Sequence, residues 1–377
     1  VAARHHLHQE GREVTRILPL LAALCAAAEP PLVAKVEPLA DWNEKFTRSD
    51  GWIGADGAYS VPVSPTRTLW LFGDTFVGTI RNGSRAGSTM VNNTVAVQDG
   101  NGPGAKLSFP IRRGPGDKPL SQFAPADGRG FFWPQAGTFH DGKLYLFLAQ
   151  VEHTKEGGAF GFRQVGQWLG VVSNPTDDPA DWKLTQTKVP FCEFSDTCTL
   201  SFGSAVLQAD GFAHVYGIDE KAKAGIGGKY LVLARVPLAK LTDFAAWEFR
   251  RNSEWKPWED GFPGRDHLAG GLASEFSVSY LPRFKTYAMV YTQNGLSDRI
   301  TWRFADAPEG PWSAAREIYR CPEMADKKLF TYSAKAHPHL SGENDLVLSY
   351  CVNSFDFARS VNDVAVYWPR FVRVTFR

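Results

Sequence analysis

An all-β chain folded as a five-bladed β-propeller, with four-stranded antiparallel blades around a central channel, is the architecture this sequence predicts. Three observations point to it. The ordered runs alternate apolar and polar residues with period two, rich in Val, Phe, Tyr, Trp and Thr and separated by Gly, Asp, Pro and Asn. A hairpin recurs five times. Its starting points, Asp56, Trp133, Gly203, Glu275 and Lys335, are spaced 77, 70, 72 and 60 residues apart, which leaves room each time for a four-stranded blade and its loops.

Taken in order, the first hairpin runs from Gly54 to Pro62, turns through Ser64-Pro65-Thr66 and returns over Thr68 to Thr75. The second joins Trp133 to Phe139 with Lys143 to Gln150 through Asp141-Gly142, and the third joins Phe202 to Gln208 with Ala213 to Ile218 through Asp210-Gly211. In the fourth, Glu275 to Leu281 turns at Pro282-Arg283 into Thr286 to Thr292; in the fifth, Lys335 to Leu340 turns at Ser341-Gly342 into Leu346 to Cys351. Asx-Gly and Gly-containing turns of this kind supply the positive φ that tight hairpins need. A further strand follows each hairpin, at Asn93 to Gln98, Trp168 to Ser173, Tyr230 to Val236, Ile300 to Ala305 and Asp363 to Trp368. Helical periodicity is confined to a short stretch near Leu238 to Trp247. No linker divides the chain, so residues 29–377 read as one domain. One large sandwich, or two, is the alternative; repetition favours the radial arrangement because it limits exposed sheet edges.

Composition excludes other classes. Of 377 residues 44% are hydrophobic and 21% charged, with 41 Lys and Arg against 40 Asp and Glu. That balance creates no field to hold nucleic acid or an anionic membrane. The longest apolar run, Ile17 to Ala28, contains Pro19 and falls short of the roughly 20 residues a membrane span needs. It reads instead as the core of a secretory signal over residues 1–28, with Arg16 before it and Ala26, Ala27 and Ala28 as an A-x-A cleavage site ahead of Glu29. Val14 is then the start and residues 1–13 an upstream extension; a buried N-terminal helix is the alternative. A secreted or periplasmic bacterial protein is expected. Cys192, Cys198, Cys321 and Cys351 lie beyond the signal. Pairing of Cys192 with Cys198 and of Cys321 with Cys351 is expected, one of three possible connectivities. Zinc is disfavoured, because a C-x5-C pair without a companion pair is a poor ligand set. No cofactor is called for.

The candidate chemistry lies in the first hairpin. Centred near Pro65, it sets residues opposite one another when their numbers total 130, so Asp56 faces Asp74 at the mouth of the channel. Such cross-strand neighbours have Cβ atoms about 4.5–5.5 Å apart. Like charges placed so closely are destabilising, and one pKa is pushed upward. A protonated acid beside an ionised carboxylate is what glycosidic cleavage requires. The bland alternatives are that Asp56 serves the GADG turn and Asp74 caps backbone amides. The same pairing logic brings Trp133 and Gln150, Asp219 and Glu220, Glu275 and Gln293, and Lys335, His337 and Asn353 to the same face. Trp133, Gln150, Glu220, Glu275, Gln293, Lys335, His337 and Asn353 are therefore the expected substrate-binding residues, since sugars pair an apolar face with hydroxyls that need partners. His337 and His339 at i and i+2 are weighed as a metal pair and set aside, and no loop specifies calcium.

The stretch DGWIGADGAYSVPVSPTRTLWLFGDTFVG, read from Asp50, resembles the first blade of a group of secreted bacterial propeller proteins whose characterised relatives are endo-D-arabinanases. FFWPQAG, SFGSAV, GLASEFSVSY and YSAKAHPHL recur in similar order, so the resemblance covers most of the chain. It implies catalysis by Asp56 and Asp74, which stand at the matching positions; of the two, Asp74 is assigned here as the acid. An inverting arrangement with Asp56 as base and Glu275 as acid is the alternative: a carboxyl separation of about 5–5.5 Å implies retention, about 6.5–9.5 Å inversion. Sialidases are disfavoured because the S-x-D-x-G-x-x-W box is missing. The expectation is a secreted glycoside hydrolase acting on a furanose-containing, arabinan-like polysaccharide or oligosaccharide. A non-catalytic, lectin-like carbohydrate-binding propeller is the rival.

Overall fold

The computed structural model describes residues 31–377 except 103, 156–159 and 222–227. The expected signal segment lies outside the described residues. Among these, antiparallel sheet dominates. The first sheet orders its strands Tyr59–Ser64, Arg67–Phe72, Thr94–Asp99 and Lys106–Ser108; the second, Phe131–His140, Lys143–His153, Phe162–Val172 and Leu184–Lys188. The fourth runs Phe276–Leu281, Thr286–Thr292, Arg299–Ala305 and Arg316–Arg320. In the fifth, Leu329–Ala336, Asp345–Ser354 and Pro369–Phe376 are completed by the N-terminal strand Val33–Pro38, so both ends of the chain share one sheet.

Two features depart from a uniform four-stranded repeat. The third sheet has six strands, with Glu193–Phe194 and Glu254–Pro257 flanking Cys198–Ala209, Phe212–Lys221, Lys229–Pro237 and Glu248–Arg251. A separate three-stranded sheet, Asp50–Ala55, Thr75–Thr79 and Thr89–Val91, extends the ends of the first hairpin.

The first strand of each four-stranded sheet, and Cys198–Ala209 in the third, is the inner one. These inner strands pack in sequence, first against second, second against third, third against fourth and fourth against fifth. The fifth returns to the first: Ser60 Oγ lies 2.5 Å from His337 Nδ1, and Ser333 Oγ lies 3.1 Å from Gly57 O.

Apolar cores fill the spaces between successive sheets, and strand periodicity explains why. In Lys143–His153, Leu144, Leu146 and Leu148 face the core shared with the first sheet, while Tyr145 and Phe147 face the core shared with the third. A strand buried on both faces reads as a continuous apolar run. Each such side chain contributes about 1.5–3 kcal/mol on burial.

Short helices escaped the sequence. Ala40–Phe46 buries Trp42 and Phe46, four residues apart on one face, with Phe46 centred 5.0 Å from Trp70 and 4.8 Å from Phe371. Asp356 caps Phe357–Asn362 by accepting from Ala358 N. The expected strand at Asp363 to Trp368 is instead a turn, and the chain re-enters the fifth sheet only at Pro369. Near Leu238 to Trp247 there are two 3-10 turns rather than a helix.

The four described cysteines are all free thiols, which corrects both expected disulfides. Cys321 sits in the core that also takes Tyr350 and Val352, whereas Cys351, between those two, points to the opposite face of its strand. Burial pushes the Cys192 and Cys321 thiols up to about 12.

Candidate active site

The pairing rule for the first hairpin holds in the structure: Tyr59 pairs with Leu71, Val61 with Leu69 and Ala55 with Thr75. Asp56 and Asp74 occupy the breaks between the paired segments, where Gly73 N donates to Asp56 O at 3.1 Å. Freed from the ladder, both side chains turn into one cavity of about 650 Å³ lined by residues in or beside the strands of the five main sheets. Two glycines make this possible. A Cβ on Gly73 would overlap Asp56 Oδ1, and Gly54, at φ 139°, lets Tyr367 O approach where a Cβ would stand 2.7 Å away.

Each carboxyl is held by its own donors. Asp56 Oδ2 accepts from Tyr332 OH at 2.7 Å and from Tyr367 OH at 3.3 Å. Asp74 Oδ1 accepts from Trp133 Nε1 at 3.0 Å and Asn92 Nδ2 at 3.3 Å. Burial, then the charges of Asp74 and Glu275, push Asp56 up to about 8 against the pull of its two phenols. Asp74 is also raised, mainly by burial, but Trp133, Asn92 and the charge of His153 oppose the rise.

A buried cation braces this corner. Arg85 donates from Nε to Ile53 O at 2.7 Å, from Nη1 to Ser360 O at 2.7 Å and from Nη2 to Val366 O at 2.9 Å. Its guanidinium lies 4.7 Å over the Trp368 ring, and burial lowers its pKa to about 10. It thereby ties the backbone before Asp56 to the segment that carries Tyr367.

Of the expected binding residues, Trp133, Glu220, Glu275 and Asn353 line the same cavity. Glu220 is paired with Lys229 at 2.6 Å. Glu275 accepts from Ser333 Oγ at 2.8 Å and lies 3.7 Å from Lys335 Nζ. Asn353 Oδ1 accepts from Ser360 Oγ at 2.8 Å.

The other four do not line it, for reasons of register. In the second sheet, Leu144 pairs with Phe139, but the inner strand bulges between Pro134 and Gly137, so Trp133 pairs with Ala149. That one-residue slip turns Gln150 to the far face, where it donates to Asp127 and Arg129 O and accepts from Trp168. In the fourth sheet Phe276 pairs with Tyr291, which places Thr292 and not Gln293 opposite Glu275. In the fifth, the inner strand begins at Leu329, so Phe330 opposes Asn353. Lys335 and His337 therefore lie deeper. Buried Lys335 donates to Ser333 O at 2.7 Å beside the Tyr59 ring, and buried His337 is held between Ser60 and Ser349. Both border a second cavity at the other end of the channel. Asp219 likewise points away, buried against Arg265 and His267, each at 2.7 Å.

Sequence reasoning missed Tyr332, Tyr367 and Asn92, whose positions follow only from how the sheets meet. It also missed Phe160, Phe162, Phe330 and Phe357, which line the cavity. Among the described residues no cluster of three or more His, Cys, Asp or Glu side chains is placed to hold a metal ion.

Ringed antiparallel sheets with a buried carboxyl pair at one end define a site-bearing all-β protein. The model of one family, described as a domain of unknown function (DUF5005), matches residues 40–376, and the chain belongs to that family. No curated protein matches it. Among solved structures, a Bacteroides ovatus ATCC 8483 protein provisionally named a hydrolase is 20% identical, with a TM-score of 0.73 over 90% of each chain. A xylan β-1,4-xylosidase from Bacillus halodurans C-125 is 12% identical, with a TM-score of 0.47 over 81% of this chain and 50% of its own. A GH43_1 enzyme from Xanthomonas citri is 13% identical, with a TM-score of 0.46 over 88% and 92%. The first is a likeness of fold; the other two are too distant to add to it.

Proposed function

We propose that this chain is an exported five-bladed propeller glycoside hydrolase that cleaves a furanose-containing, arabinan-like glycan with Asp56 and Asp74. The observation that carries the proposal is the unequal environment of two carboxyls in one cavity. Asp56, raised to about 8, holds its proton at neutral pH; Asp74, with two N–H donors, is the better anion.

Asp56 is therefore the acid and Asp74 the nucleophile or base, the reverse of the roles the sequence suggested. Asp56 passes its proton to the glycosidic oxygen as the C–O bond breaks. Asp74 either bonds to the anomeric carbon, forming a glycosyl ester that water later hydrolyses, or takes a proton from the attacking water. Glu275 is the alternative base, because its charge also bears on Asp56. Trp133, Glu220 and Asn353 supply an apolar face and hydrogen-bonding groups for the sugar.

The test is a screen of arabinans, arabinogalactan and xylans with product analysis, repeated with Asp56→Asn and Asp74→Asn. Cleavage lost in both variants with glycan binding kept supports the proposal. Full activity in both ends it, and binding without cleavage by the native protein favours the lectin-like alternative.

A further inference from the structure

We infer that the mouth is a blind pocket for the end of a glycan chain, closed by an aromatic wall through Phe160, so that cleavage is exo and releases mono- or disaccharide units. This rests on the glycoside hydrolase proposal above and specifies its mode of action.

The wall follows from the order of the sheets. Because the first sheet lies between the fifth and the second, any contact joining second to fifth at the mouth passes across the ends of the strands that carry Asp56 and Asp74. Phe160 makes such a contact. It sits beside the hairpin of the second sheet, where His153 pairs with Phe162 and Thr154 N donates to Gly161 O at 2.8 Å. Its ring centroid lies 5.8 Å from Phe330 and 6.3 Å from Phe355, both of the fifth sheet or its edge. Phe162, 6.5 Å from Phe160, stands edge-on to Trp133 at 4.6 Å, and Trp133 donates to Asp74. A continuous aromatic row thus runs from the donor of one carboxyl to the fifth sheet.

These rings are also unusually open. Phe160 is 51% exposed, Phe162 37% and Phe355 51%. Contiguous exposed aromatic surface at a cavity rim marks a ligand site, and the C–H face of a sugar ring is a suitable cover for it.

Among the described residues the remaining sides differ in character from the wall. Below, Ser333 lines this cavity and buried Lys335 the second one, with Lys335 Nζ donating to Ser333 O at 2.7 Å and lying 4.2 Å over the Tyr59 ring. Opposite the wall, the described residues of the third and fourth sheets that line the cavity, among them the Glu220–Lys229 pair, Asn294 and Gly295, include no aromatic ring. A chain that enters over this side ends against the Phe row. The carboxyls lie at that closed end, so the bond they reach is close to the terminus.

Digestion of linear arabinan, with products sized over time, tests this alongside Phe160→Ala and Phe355→Ala. The native protein is expected to release only mono- and disaccharides from the first time points, and each variant to raise the share of internal cleavage about tenfold, the scale of a lost apolar contact. Mid-length oligosaccharides appearing early with the native protein would overturn the wall and leave the hydrolase proposal standing. If no glycan is cleaved, the hydrolase proposal fails, and calorimetry with arabino-oligosaccharides decides the pocket separately. Binding of the free oligosaccharide, but not of one capped at both ends, supports it; equal binding of the two refutes it.

Discussion

Tyr332 donates its phenolic hydrogen to Asp56 Oδ2 at 2.7 Å, and the two residues belong to the last and first sheets of the ring. The seam where the chain closes on itself is thus also where the proton of the candidate acid is set.

Loss of that phenol moves the alkaline limb of the rate profile. The bond favours the ionised form of Asp56, which burial and nearby charge otherwise raise to about 8. Tyr332→Phe removes a charge-assisted bond worth about 1.5 kcal/mol, which raises the Asp56 pKa by about one unit. The measurement is kcat/KM against pH: activity should persist about one unit further into alkali than in the native protein. An unmoved limb would show that Asp56 is not the acid.

The same carboxyl makes stability depend on pH. Its folded pKa lies above the ordinary 3.8, so the folded state holds a proton that the unfolded chain has released. The contribution is complete below about pH 4 and is lost as pH rises towards about 8. Asp56→Asn should therefore raise Tm at pH 7, by about 1.4 °C for each kcal/mol relieved at an unfolding entropy of roughly 2.1 cal/mol/K per residue, and change it little at pH 4. Thermal unfolding followed at both values distinguishes this from a uniform packing effect.

Trp133 acts on the partner carboxyl. Its indole N–H stabilises the Asp74 anion, so Trp133→Phe should shift the acid limb of the profile upward by about one unit while leaving the alkaline limb in place. Movement of both limbs together would indicate a general distortion of the mouth.

Gly73 is required for space. An added methyl would displace the Asp56 carboxyl, because a Cβ at this position would overlap Oδ1. Gly73→Ala should cut kcat by about a hundredfold, the cost of roughly 1 Å of misplacement, with only a minor change in Tm. A large loss of Tm with normal kcat would contradict it.

The all-β class, the five hairpins and the facing of Asp56 with Asp74 were determined by sequence alone, because period-two burial and turn chemistry are local signals that a strand cannot evade. Boundaries were less legible. Inner strands bulge near Gln135, Gly203 and Ser333, and since successive side chains alternate faces, one extra residue sent Gln150 from the mouth into the wall of the sheet.

What only the tertiary structure decided is the company each group keeps. Tyr332 and Tyr367 are 276 and 311 residues from Asp56 in sequence, Phe160 meets Phe330 across another sheet's end, and the cysteines expected to pair lie free. Contacts between sheets depend on how the ring closes, and closure is a property of the whole core, written in no single segment.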